Sequence, residues 1–192
     1  MDIENIFEEN KLNLNYGEPA SGKSTLALQY ALQQKGKVVF LDVEKSASIE
    51  RMKQIGGNID NIVFFKPKNL EEQGKIIFRL EKLNKLSLIV VDTLGYYYRT
   101  RVKKDVQYAN KILAGQLRKL KDYVRDGITV IINNQVYSDL EGNIKVVGGD
   151  MVRNWSDRII HLKKEPRTLA IEKPEDDEKE ISFKIEEKGI IF

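Results

Sequence analysis

Residues Leu12-Asn13-Leu14-Asn15-Tyr16-Gly17-Glu18-Pro19-Ala20-Ser21-Gly22-Lys23-Ser24-Thr25 decide the fold. The alternation through Tyr16 predicts a strand, and Leu26, Ala27, Tyr30 and Ala31 at helical spacing predict a helix directly after Ser24. Between them, Gly17 to Ser24 fits the pattern G-x-x-x-x-G-K-[ST]. Strand, glycine-containing loop and helix are the order a phosphate-binding loop requires. Glycines let successive backbone N–H groups turn inward around phosphates, Lys23 offers a point charge to the β and γ oxygens, and the Ser24 hydroxyl can ligate Mg²⁺. The helix N-terminus adds its partial positive charge to the same anion site. The whole run Gly17, Glu18, Pro19, Ala20, Ser21, Gly22, Lys23, Ser24 and Thr25 is therefore a nucleotide-binding candidate. The alternative is a glycine-rich turn with no ligand.

Outward from this loop, apolar β-branched runs at 38–41, 62–65, 88–91 and 128–132 alternate with helical patterns at 49–55, 70–83 and 108–124. Runs of that kind read as strands buried on both faces, and the β-α-β-α order predicts an α/β fold with a mainly parallel sheet flanked by helices. After Gly149 the pattern shortens to segments at 158–163, 169–173 and 181–185, read as a C-terminal antiparallel extension of the same sheet. The acidic run Glu175-Asp176-Asp177-Glu178 reads as a solvated hairpin loop.

In a parallel sheet, ligands collect beyond the carboxyl ends of the strands. Here those ends carry the phosphate loop, Glu44 just after Asp42, Asp92 and Asn133-Asn134-Gln135. Asp92 is placed to hold Mg²⁺ with Ser24, or else caps a turn. Glu44 can act as general base or positioner for an attacking water, or pair with Lys45 as a surface residue. Gln135 donates and accepts at once, which suits a γ-phosphate sensor that passes the signal to the following loop; it can also be a polar strand end. Lys23, Glu44, Asp92 and Gln135 make the candidate catalytic set.

Directly after Asp92 comes Thr93-Leu94-Gly95-Tyr96-Tyr97-Tyr98-Arg99-Thr100-Arg101-Val102-Lys103-Lys104. Aromatic rings stack on unpaired bases and cations bind phosphates, so this segment reads as a loop contacting DNA, single-stranded in preference, through Tyr97, Tyr98, Arg99, Arg101, Lys103 and Lys104. The other reading packs part of the tyrosine run in the core. Residues 136–149 read as a second long, mobile loop, with Lys145 as a further DNA contact.

A length of 192 residues fits one domain, and the absence of cysteine excludes disulfides and thiolate metal sites. His161 lies in an apolar run and reads as a structural strand residue. No apolar run approaches the ~20 residues that span a bilayer, so a soluble, cytoplasmic protein without membrane contact is expected. Net charge is only +3, from 32 basic and 29 acidic residues, so any affinity for nucleic acid rests on local clustering.

The chain resembles the RecA-like recombinase ATPases of the archaeal RadA/RadB branch, most closely the short RadB-type paralogues. Phe40-Leu41-Asp42-Val43-Glu44 with Glu50-Arg51 resembles that family's "DTEG…ER" segment, with Lys45 where Gly is usual. Val91-Asp92-Thr93-Leu94 and Tyr98-Arg99-Thr100 resemble its Walker B strand and the start of its first DNA loop. Asn134-Gln135-Val136-Tyr137, Val147-Gly148-Gly149 and Trp155-Ser156 resemble the segments bracketing the second, and 183–190 resembles its closing strand. The resemblance implies a RecA-like P-loop NTPase core over residues 1–192 without an N-terminal helical DNA-binding domain, and with Glu44 as the catalytic glutamate. It implies ATP and Mg²⁺ as cofactors, weak hydrolysis, and an accessory role in homologous recombination and DNA repair. DNA and a RadA-type recombinase or other recombination protein are the implied partners. An oligomer is compatible with it, although no Phe-x-x-Ala polymerisation motif occurs. The rival reading is a RecA-fold regulatory ATPase acting on a protein partner through the tyrosine-rich segment.

Overall fold

The computed structural model describes residues 3–139, 141, 144–177 and 179–192, with only the backbone of Asp176. Along the chain run β1 (Leu12–Gly17), α1 (Lys23–Leu32), β2 (Lys37–Asp42), α2 (Ile49–Ile55), β3 (Ile62–Phe65), α3 (Leu70–Arg79), β4 (Leu86–Asp92), α4 (Tyr96–Val102), α5 (Val106–Arg125) and β5 (Thr129–Ser138). Then follow β6 (Ile144–Val146), α6 (Gly149–Trp155), β7 (Arg158–Lys164), β8 (Arg167–Lys173), β9 (Lys179–Ser182), β10 (Lys184–Glu186) and β11 (Gly189–Ile191).

Nine strands form one sheet in the order β3-β2-β4-β5-β1-β7-β8-β9, with β6 on the far half of β5. The pairs from β3 through β7 are parallel, and β8 and β9 add antiparallel. The runs 38–41, 88–91 and 130–132 are apolar because both faces of the sheet are covered, whereas β1 buries Asn13 and Asn15 between its leucines. Val38, Phe40, Leu88, Val90 and Ile131 point into a core beneath α1 and the C-terminal hairpin. Their neighbours Val39, Leu41, Ile89, Val91, Val130 and Ile132 point into a second core with Leu113, Leu117 and Leu120 of α5. Helix starts are set by side-chain caps: Ser48 accepts from Arg51 N, Asn69 from Glu72 N and Asp105 from Tyr108 N.

Several expectations are corrected. The segment after Asp92 is not a loop but helix α4, of which Tyr97 and Tyr98 pack against the second core without the apolar spacing that announces a helix. The fifth strand does not end at Asn133-Asn134-Gln135; it continues to Ser138 and turns back as the antiparallel pair Val136↔Val146, Tyr137↔Lys145 and Ser138↔Ile144. The segment expected to be a long mobile loop is therefore largely a β-hairpin followed by α6, though Leu140, Gly142 and Asn143 lie outside the described residues. Strand β7 runs parallel to β1 and so belongs to the central sheet rather than to an antiparallel extension. The expected strand at 181–185 is split at Phe183, and β10 leaves the sheet to pair with β11 over α1. In the acidic run, Asp177 is not simply solvated: it accepts from the buried Arg158 at 2.8 Å and from Lys179 at 2.7 Å. Glu178 of that run lies outside the described residues.

Candidate nucleotide site and the basic cleft beside it

Strand β1 delivers Gly17 to the sheet edge with φ +156°, where a Cβ would sit 2.1 Å from the carbonyl oxygen of Leu162. No other residue fits without moving β7. Gly22 precedes α1 at φ +110°, under Ile185 and Ile190 of the C-terminal hairpin. That hairpin is anchored by Gln29, which bonds both the N–H and the carbonyl of Ile190, and by Arg51, which donates to the carbonyls of Glu186 and Glu187. Arg51 thus braces from α2 the hairpin that packs over Gly22.

Lys23 is buried, and its ammonium donates to the carbonyls of Gly17 at 2.9 Å and Glu18 at 2.7 Å and to Ser21 Oγ at 3.3 Å. Desolvation lowers its pKa, opposed by the carboxylates of Asp92, Glu44 and Glu18. The charge is held by groups of the loop itself. Asp92 is 3% exposed, and burial pushes its carboxyl up to about 6, although Ser24 and Asn133 beside it favour the charged form. Well below pH 4 this carboxyl is protonated whether the chain is folded or not, whereas above pH 6 folding must hold it ionised in a buried site. Asp92→Asn is therefore expected to stabilise the nucleotide-free protein by on the order of 2–3 kcal/mol at pH 7.5 and hardly at all at pH 4, read from urea unfolding at the two pH values. An equal change at both would mean that the carboxyl is not perturbed.

The donor set suits Mg²⁺: the Ser24 hydroxyl and the Asp92 carboxylate lie side by side and are both hard oxygen donors. Among the described residues no cluster of three or more His, Cys, Asp or Glu side chains could cage a metal on its own. One or two protein oxygens completed by phosphates is the usual Mg²⁺ arrangement.

Glu44 sits on the loop after β2, held because the buried Asp42 accepts from Ser46 N at 2.9 Å. Its partners are not Lys45 but Thr93 Oγ1 at 2.6 Å and Gln135 Nε2 at 2.7 Å, both donating to Glu44 Oε1. Lys45 itself adopts φ +57°, the left-handed backbone that glycine enters freely. Thr93 was missed at the sequence level, where only its place next to Asp92 marked it. Asn134 was also missed as a brace: its amide donates to Val147 O at 2.7 Å and so fastens β6 to the base of β5.

Next to Gln135 opens a cleft of about 640 Å³ lined by Lys68, Arg99, Arg101, Lys103 and Lys104, with Glu71 as its acidic member. Arg99 donates to Gln135 Oε1 at 2.9 Å, while Arg101 lies 3.2 Å from Glu71 and 4.5 Å over the ring of Tyr108. Lys103 and Lys104 are exposed at the end of α4. The tyrosines divide: Tyr97 donates to Pro67 O at 2.8 Å and Tyr98 to Asn110 Oδ1 at 2.7 Å, both half-buried, which leaves Tyr96, 44% exposed, as the accessible ring. Lys145 is exposed on β6 opposite Tyr137, away from the cleft lining.

The RecA N-terminal domain family profile matches residues 9–171. The DNA repair and recombination protein RadB of Methanobrevibacter smithii is 32% identical over 200 residues, spanning 92% of this chain and 85% of the relative. Its counterpart in Methanocaldococcus jannaschii is 32% identical over 191 residues, spanning 91% and 90%. The chain belongs to the RadB branch of the RecA family. A crystal structure of the RadB recombinase superposes with a TM-score of 0.80 at 28% identity, over 98% of this chain and 94% of that one. The mostly parallel sheet with antiparallel C-terminal strands is thus the RecA-like fold in its RadB form. Both RadB relatives come from archaea, in keeping with the branch.

Proposed function

We propose that the chain is an ATP-binding, DNA-binding accessory protein of homologous recombination and repair with weak ATP hydrolysis, working as one ATPase domain over residues 1–192. The observation that carries this reading is the meeting of Lys23, Ser24, Asp92, Glu44 and Gln135 at one edge of the parallel strands, with Gln135 also bonded to Arg99 of the basic cleft.

The residues divide the work by chemistry. The 17–25 loop wraps phosphates with backbone N–H groups, and Lys23 exchanges its bonds to the Gly17 and Glu18 carbonyls for phosphate oxygens. Ser24 and Asp92 hold Mg²⁺, which when bound neutralises charge on the transferred phosphoryl group. Glu44 orients a water and takes its proton, and Gln135 links that carboxylate to the DNA-binding elements. Arg99, Lys103 and Lys104 contact the nucleic-acid backbone, with Arg101 and Lys145 at the margins and Tyr96 as the ring open to a base. A RadA-type recombinase is the protein partner in this reading. Among the described residues no helix is long and apolar enough to cross a membrane.

Substituting Lys103 and Lys104 with alanine is expected to weaken binding of a labelled single-stranded oligonucleotide and to flatten the plot of log affinity against log salt by about 0.7 for each phosphate that is no longer neutralised. Arg101→Ala, already matched to Glu71, is expected to cost less. Unchanged affinity and slope in the double variant would remove the cleft from DNA binding and favour a protein ligand.

A further inference from the structure

Parallel pairing sets Asp92 of β4, Asn133 of β5 and Asn15 of β1 in one row, with Asp92↔Asn133 and Asn15↔Asn133 as direct register partners. Register partners point to the same face of a sheet, here the face under the first residue of α1. All three side chains are buried, the two asparagines completely. Asn15 Nδ2 donates to Asn133 Oδ1 at 2.9 Å and to the carbonyl of Lys23 at 3.4 Å. Neither asparagine belongs to the phosphate-loop motif or to the catalytic set.

The row has a direction. A backbone carbonyl only accepts, so the Lys23 carbonyl holds the amino end of Asn15 towards itself and Asn133. Asn133 answers with its oxygen, and a planar amide that uses its oxygen on one side presents its N–H groups on the other. Asn133 Nδ2 meets no other acceptor among the described residues, and the group beside it is the Asp92 carboxyl. Reversing both amides would set one oxygen against the Lys23 carbonyl and another against the carboxylate. Asn15 Oδ1 is left without a partner, so the row gives up one bond and keeps this polarity. On the far side of Asp92, its register partner Asp42 is occupied by the N–H groups of Ser46 and Ala47 and by Lys66. Asn133 is thus the neutral donor that flanks Asp92 within the sheet.

We propose that Asn133 is a positioning residue for Mg²⁺, whose N–H steers the Asp92 carboxylate towards the metal, and that Asn15 keeps this N–H aimed by tying the amide to the start of α1. This rests on the reading of Ser24 and Asp92 as the Mg²⁺ ligands. Groups behind a metal ligand orient it, and losing one lowers metal affinity about 10- to 100-fold.

The test uses the full chain with Asn133→Leu, Asn15→Leu, Asn133→Thr and the Asn15→Leu/Asn133→Thr double variant, each checked by a thermal melt. Mn²⁺ stands in for Mg²⁺ at oxygen ligands, and its affinity for the ADP-bound protein is read from the EPR signal of the free ion. Asn133→Leu is expected to weaken Mn²⁺ binding about tenfold, while ADP affinity in EDTA stays within about twofold of the parent. Asn15→Leu is expected to cost about threefold, because Asn133 then turns freely. A threonine hydroxyl rotates to its acceptor unaided, so Asn133→Thr retains most of the Mn²⁺ affinity and the added Asn15→Leu costs nothing more. Parental Mn²⁺ affinity in Asn133→Leu would overturn the proposal. So would an equal loss of ADP affinity in EDTA, which would make the row a support of the loop alone.

A second readout needs neither metal nor nucleotide. The Asn133 side-chain N–H resonances, assigned by their loss in Asn133→Thr, are expected to shift in Asp92→Asn and in Asn15→Leu, and a pair unmoved in either variant overturns the row. If the parent binds no ADP, the functional reading fails, whereas these resonances still decide whether Asn15 aims Asn133 at Asp92.

Discussion

Lys23→Ala is expected to weaken ATP binding at least about 100-fold and to abolish turnover at any attainable nucleotide concentration. The ammonium is the one buried cation of the loop, it is already stripped of water, and its folded-in position at the Gly17 and Glu18 carbonyls keeps it within reach of the phosphate cradle. Removing one partner of a desolvated charge pair costs about 2–5 kcal/mol, which spans that factor and more. The same substitution leaves two loop carbonyls without their donor, so a thermal melt must accompany the titration. A folded Lys23→Ala protein that binds a fluorescent ATP analogue as tightly as the parent would exclude this loop as the nucleotide site.

Glu44→Gln should behave in the opposite way, with ATP affinity within about threefold of the parent and turnover lowered about 100-fold or more, the usual share of a general base. Glutamine has the same shape, and its carbonyl oxygen still accepts from Thr93 and Gln135, so the local geometry survives while basicity is lost. Single-turnover hydrolysis beside equilibrium binding separates the two effects. Equal turnover in the variant would take Glu44 out of the chemistry and leave it a brace between β2 and β5.

What could be read from the sequence followed from how much of each signal was local. The 17–24 motif and the strand ending in Asp92 are contiguous, and strands buried on both faces announce themselves as apolar runs, so the sheet and the strand edge where these side chains gather were legible. The contact between Glu44 and Gln135 spans 91 residues and exists only because β4 lies between β2 and β5. No local pattern encodes that order. Helix α4 was hidden because Tyr97 and Tyr98 bury themselves through rings whose hydroxyls need partners outside the helix, Pro67 before α3 and Asn110 on α5. Gly148 and Gly149, read as loop residues, instead take positive φ to open α6. Strand β7 looked like the start of a meander, yet Asn13↔Arg158 through Gly17↔Leu162 make it the parallel neighbour of β1 and put the Leu162 carbonyl against Gly17.

The most direct test of a nucleotide site coupled to a DNA surface is the fluorescence anisotropy of a labelled single-stranded oligonucleotide. It is titrated with the full chain in Mg²⁺ with no nucleotide, with ADP, and with a non-hydrolysable ATP analogue. Coupling through Gln135 predicts saturable binding whose affinity changes at least about fivefold between the ADP and ATP-analogue states, equivalent to a coupling of about 1 kcal/mol. The same affinity in all three states, or no binding in any of them, would contradict it.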